Sequence, residues 1–94
     1  MFGKKRKEES QEYKLIDAKK ILRGLGGKNN IKELSNCITR LRLKVEDTNK
    51  IDINLLKKET GASDVVIEDN SVQVIYGLKI EVIRKAIDEE MKNN

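Results

Sequence analysis

Residues 36–45 read NCITRLRLKV, and their alternation decides the fold class. Leu41, Leu43 and Val45 occupy every second position, with Arg40, Arg42 and Lys44 between them. A strand places successive side chains on opposite faces, so this segment reads as a strand with one buried and one strongly basic face. Ser35 and Asn36 read as a break, and residues 31–34 before them as a short extended segment. Cys37 is therefore expected on a turn at the sheet edge.

The pattern on either side is helical. Upstream, from Tyr13, residues Leu15, Ala18, Leu22 and Leu25 fall at helical spacing, and Ile21 widens the stripe. Gly26-Gly27 predict its end, because glycine takes the left-handed position after a helix without steric cost. Downstream, residues 47–50 form a turn. Asp52 predicts the cap of a short helix carrying Leu55 and Leu56, ended by Gly61. Residues 65–67 and 72–76 read as two strands joined at Asp69-Asn70, since both residues tolerate positive φ. Gly77 closes the second of these. Ile80, Ile83, Ala86, Ile87 and Met91 form the apolar stripe of a final helix.

The order α-β-β-α-β-β-α predicts an α+β fold. Each helix has one apolar face, so the helices are expected in a single layer on one face of the sheet. Residues 1–12 lack apolar periodicity and read as a flexible basic tail or linker, leaving residues 13–94 as the folded domain.

Composition narrows the chemistry. The 94 residues hold 37% hydrophobic and 38% charged side chains, enough for one modest core. Phe2, Tyr13 and Tyr76 are the aromatic residues. No apolar run is long enough to span a bilayer. The chain has no histidine, which removes Ser-His-Asp and Cys-His catalysis. One cysteine and no histidine cannot supply a tetrahedral set of nitrogen and sulfur ligands for zinc, and one cysteine cannot form an internal disulfide. The net charge is +4, much of the excess lying in Lys4-Lys5-Arg6-Lys7. That block reads as a solvated tail, or as a contact for a membrane surface or nucleic acid.

Two readings of Cys37 stand side by side. A lone cysteine in a small protein commonly packs as a small hydrophobe. Alternatively, a turn presents backbone N–H groups in a concave array that binds anions, and Thr39 adds a hydroxyl. Arg40 and Arg42 share one strand face and carry guanidinium groups that match phosphate oxygens. Such donors would hold a phosphoryl group on the sulfur, making Cys37 a phosphocysteine.

The segment Asn30-Ile31, then Leu34, then CITRLRLKVED resembles the phosphorylation-site segment of enzyme IIB domains. These belong to the glucose/N-acetylglucosamine type of the bacterial phosphoenolpyruvate-dependent sugar phosphotransferase system. ILRGLGGKNNI at 21–31 is similar to the end of the family's first helix. VEDTNKIDINLLKKETGASDVVI resembles its next strand end, short helix and turn, and SVQVIYG at 71–77 its last strand. The likeness covers about residues 14–91.

The resemblance implies a four-stranded antiparallel sheet with three helices packed on one face. It also implies that Cys37 is a catalytic phosphocysteine that takes a phosphoryl group from a phosphohistidine on a IIA protein. The group then passes to a sugar held by a membrane IIC partner, either separate or fused to this domain in the native protein. Arg40 and Arg42 match the catalytic arginines, and Thr39 with Ile38 the phosphate-binding turn. The implied setting is cytoplasmic, at the inner face of the membrane, with no cofactor, metal or nucleic acid. Ser35 departs from the aspartate common in glucose-type relatives. Asn36 departs from the histidine common in the β-glucoside and sucrose branch.

Two alternatives remain. The same fold can serve as a sensor or interaction module whose phosphorylation state reports sugar supply. Gly24-Leu25-Gly26-Gly27 also fits the G-x-x-G loop of a KH-like RNA-binding module. A KH loop joins two helices, whereas a strand candidate follows here.

Overall fold

The computed structural model describes residues 16–92. The tail read over residues 1–12, and the helical positions Tyr13 and Leu15, lie outside the described residues.

Helix α1 spans Ala18–Gly24, capped by Asp17, whose Oδ1 accepts the Lys20 N–H at 3.1 Å. Leu25 closes the helix. Gly26 and Gly27 follow with φ of 94° and 93°, and the Gly27 N–H returns to the Leu22 carbonyl at 2.8 Å. The G-x-x-G segment, which begins at the last residue of α1 and ends at Gly27, then leads through a 3-10 turn into a strand, not into a second α-helix. A KH loop is therefore not formed.

Strand β1 is Ile31–Asn36 and strand β2 is Arg40–Val45. The break expected at Ser35-Asn36 is absent. Both residues belong to β1, opposite Arg42 and Leu41. Cross-strand pairing with β2 outweighs the local turn preference of serine and asparagine. Helix α2, Ile53–Glu59, starts at Asp52, whose Oδ1 accepts the Leu55 N–H at 3.0 Å. Strands β3, Asp64–Glu68, and β4, Ser71–Ile75, form a hairpin. Only Asp69 takes positive φ in its turn, at 54°, rather than both Asp69 and Asn70. Helix α3 is Ile80–Lys92.

The sheet is antiparallel, in the order β1-β2-β4-β3. Leu41, Leu43 and Val45 of β2 and Val72 and Val74 of β4 point into the core. They meet Ile21, Leu22 and Leu25 of the α1 end, Leu56 of α2, and Ile80, Ile83 and Ile87 of α3. Burial of these side chains supplies the main driving force for the fold, about 1.5–3 kcal/mol for each large one. The opposite face carries Arg40, Arg42 and Lys44, all exposed. Among the described residues this is the expected α+β sandwich, with three α-helices on one face of a four-stranded antiparallel sheet.

Candidate functional site

The chain reverses between β1 and β2 over Cys37, Ile38 and Thr39. The Cys37 N–H donates to the Arg40 carbonyl at 2.8 Å, which closes the reversal and sets the two residues opposite each other. The thiol is free and exposed. A packed small-hydrophobe role is thereby excluded, because such a cysteine would be buried. Strand alternation continues the Glu33 and Ser35 row onto Cys37, so the thiol belongs to the uncovered face with Arg40 and Arg42.

The turn is anchored from below. The Thr39 carbonyl accepts the N–H groups of both Tyr76 and Gly77 at 3.0 Å. Both donors lie at the junction of β4 and α3, and their convergence needs the bend at Gly77, where φ is 81°. Among the described residues, the N–H groups of Ile38 and Thr39 have no backbone acceptor. The turn therefore leaves these donors available to an anion. The Ile38 side chain stands out in solvent at 80% exposure, which leaves its backbone N–H as the group this residue can offer at the turn.

Arg40 donates from Nη1 to Gln73 Oε1 at 2.7 Å. This bond holds one nitrogen and leaves the other N–H groups of the guanidinium for a ligand. Arg42 lies one row further from the turn, between Ser35 and Gln73 in the sheet register. It lines a shallow groove of about 190 Å³ with Glu33, Ser35, Lys44, Ser71 and Gln73. The structure thus brings Cys37, Arg40 and the Ile38–Thr39 backbone to one turn, and sets Arg42 beside them on the same face.

Gln73 is a neighbour that the motif does not contain. Its place was legible, since alternation in SVQVI puts it on the polar face while Val72 and Val74 turn inward. Asn36 is different. Its pairing with Leu41 turns it to the helix side, where Arg84 Nη1 donates to Asn36 Oδ1 at 3.1 Å. No sequence signal links residues so far apart. Among the described residues no group of three or more metal-ligating side chains occurs, and no helix is long and apolar enough to cross a membrane.

Comparison with known proteins bears on the family. The family described as phosphotransferase system, EIIB, matches residues 19–52. The α-glucoside-specific EIICB component of Leptotrichia buccalis is 47% identical over 72 residues, covering 77% of this chain and 14% of that protein. The α-glucoside-specific EIICB component of Fusobacterium mortiferum is 35% identical over 92 residues, covering 98% of this chain and 18% of its own length. The glucose-specific EIICBA component of Staphylococcus carnosus is 44% identical over 72 residues, 77% of this chain and 10% of that one. The chain therefore spans less than a fifth of the length of these relatives. A crystal structure of one domain of the PTS system IIabc component from Clostridium difficile superposes with a TM-score of 0.69 at 28% identity. That match covers 87% of this chain and 84% of the other. With the fold and these relatives in agreement, the chain belongs to the EIIB family of the phosphotransferase system.

Proposed function

We infer that Cys37 carries a phosphoryl group from a phosphohistidine of a IIA protein to a sugar held by a membrane IIC partner. Family membership supports a part in phosphoryl transfer during sugar uptake. The observation that supports the finer reading is the exposed Cys37 at a turn that also presents Arg40 and two backbone N–H groups.

In the first step, Cys37 Sγ attacks phosphorus. The S–P bond forms as the P–N bond breaks. The imidazole nitrogen leaves with the electron pair, and the thiol proton replaces phosphorus on it. In the second step, a sugar hydroxyl oxygen attacks phosphorus and the S–P bond breaks. Sulfur leaves with the electron pair, and the hydroxyl proton restores the thiol.

Charge spreads over the three equatorial oxygens during each transfer, so catalysis consists mainly of positioning and neutralisation. Arg40 and Arg42 supply the cationic donors, and the Ile38 and Thr39 N–H groups supply fixed dipoles. Relatives named EIICB and EIICBA support a IIC partner, and with it work at the inner, cytoplasmic face of the membrane. Their names make α-glucosides and glucose the first sugars to try.

The test is intact mass after incubation with phosphoenolpyruvate, the two general phosphotransfer proteins and a glucose-type IIA. One added phosphoryl group in wild type and none in Cys37→Ser is the expected result. Equal labelling of both proteins would remove Cys37 from the mechanism.

A further inference from the structure

Both backbone polar groups of Cys37 are occupied, and the second is reached from a distant helix. Its N–H donates to the Arg40 carbonyl at 2.8 Å. Its carbonyl accepts Asn36 Nδ2 at 3.1 Å. Asn36 Oδ1 in turn accepts Arg84 Nη1 at 3.1 Å, and Arg84 Nε lies 3.3 Å and 3.2 Å from the two carboxylate oxygens of Asp88. Arginine has only donors, so Asn36 must offer it the oxygen. The amide nitrogen is then committed to Cys37. The chain of donors runs one way, from Arg84 through Asn36 to the Cys37 carbonyl.

This chain has two consequences at the turn. With both its N–H and its C=O tied, Cys37 has little freedom in φ and ψ, and the direction of its Cα–Cβ bond is set. The carbonyl's partial negative charge is also taken up by an amide donor, which the guanidinium polarises, instead of facing the oxygens of a phosphoryl group. Asp88, one helical turn after Arg84, holds the guanidinium in the required orientation.

Resting on the reading of Cys37 as phosphoryl acceptor, we propose that Arg84, oriented by Asp88, is a positioning residue that aims the Cys37 thiol through the side-chain amide of Asn36. Arg84 touches neither donor nor acceptor in this role. It acts on the rate of transfer and not on docking of the donor protein.

The experiment measures single-turnover phosphoryl uptake against the concentration of phosphorylated glucose-type IIA. Wild type, Arg84→Met, Arg84→Lys, Asn36→Asp and Cys37→Ser are compared, with thermal unfolding and ¹⁵N NMR of the Asn36 side-chain amide. Arg84→Met is expected to lower the limiting rate about fivefold, the worth of one lost hydrogen bond. The donor concentration at half-maximal rate should stay within about twofold. The Asn36 amide signals should move and exchange faster. Arg84→Lys keeps a cationic donor and should recover most of the rate. Asn36→Asp keeps the partner of Arg84 but has no donor for the Cys37 carbonyl, so it should be slow although folded.

A wild-type limiting rate in both Arg84→Met and Asn36→Asp, with label on Cys37, would overturn this proposal alone. Asn36 amide signals unmoved by Arg84→Met would do the same. Phosphoryl uptake by Cys37→Ser would overturn the phosphocysteine reading, and this proposal with it.

Discussion

Arg40 donates to Gln73 across 2.7 Å, one step diagonal to its own cross-strand partner Ile75. The bond uses a neutral acceptor, so the guanidinium keeps its full charge while its position is held. Arg40→Lys is expected to fold normally and to phosphorylate sugar at least tenfold more slowly, because an ammonium loses the planar two-point contact with phosphate. Gln73→Leu should give a milder loss of about threefold, since Arg40 stays present but unheld. Both are read as sugar phosphate formed with IIA and IIC-containing membranes. A normal rate for Arg40→Lys would take Arg40 out of the phosphate clamp.

Asn30 is a buried polar residue that ties the α1 exit to the end of β2. Its Nδ2 donates to the carbonyls of Leu25 at 2.9 Å and Asp47 at 3.1 Å, and its Oδ1 accepts the Asp47 N–H at 2.9 Å. Asn30→Ala leaves the Leu25 carbonyl and the Asp47 N–H without this partner, while the Asp47 carbonyl keeps the Lys50 N–H, and it is expected to lower stability by about 2–3 kcal/mol. Urea unfolding would measure it. A loss below about 0.5 kcal/mol would mean that water replaces the side chain fully.

Gly26 lies against the same residue. A Cβ at position 26 would meet Asn30 Nδ2 at 2.6 Å and the Lys50 Cβ at 2.8 Å, on a backbone with φ of 94°. Gly61, at φ of 85°, has nothing within 4 Å of such a Cβ. Gly61→Ala should therefore cost only the left-handed penalty of about 1–2 kcal/mol. Gly26→Ala should exceed it by about 1 kcal/mol or more, through crowding. Equal losses in the two variants would show that the Asn30 side chain yields freely.

Tyr76 gives the fold a pH dependence at the alkaline end. Burial pushes its phenol above the ordinary value of 10.0, and the Thr60 hydroxyl 2.7 Å away offsets part of the rise. The folded state thus binds the phenolic proton more tightly than the unfolded state. Its contribution is fully present below pH 10.0 and is lost as pH rises through the folded-state value. Wild type should lose stability above that pH more steeply than Tyr76→Phe. Parallel stability curves for the two proteins would contradict this assignment.

Much of the fold was legible because its signals are local. The alternation at 40–45 names the covered and uncovered faces of β2 without any knowledge of its neighbours. Asp17 is an N-cap that the helical spacing alone did not reveal, whereas Asp52 and the Gly26-Gly27 pair were readable as helix boundaries. Ser35 and Asn36 misled for the same reason that the rest succeeded. Their turn preference is local, and the ladder to β2 that overrides it is not.

The sequence by itself determined which cysteine and which arginines are the candidates for the chemistry. With no histidine and one cysteine, only Cys37 could serve as a cysteine nucleophile, and a period of two put Arg40 and Arg42 on one face. Tertiary structure alone decided how that turn is held. Thr39 is pinned by Tyr76 and Gly77, Arg40 by Gln73, and Asn36 by Arg84, each from an element far along the chain. Periodicity and propensity describe what a segment prefers on its own, whereas a hydrogen bond across 33 or 48 residues exists only once the core has brought its ends together.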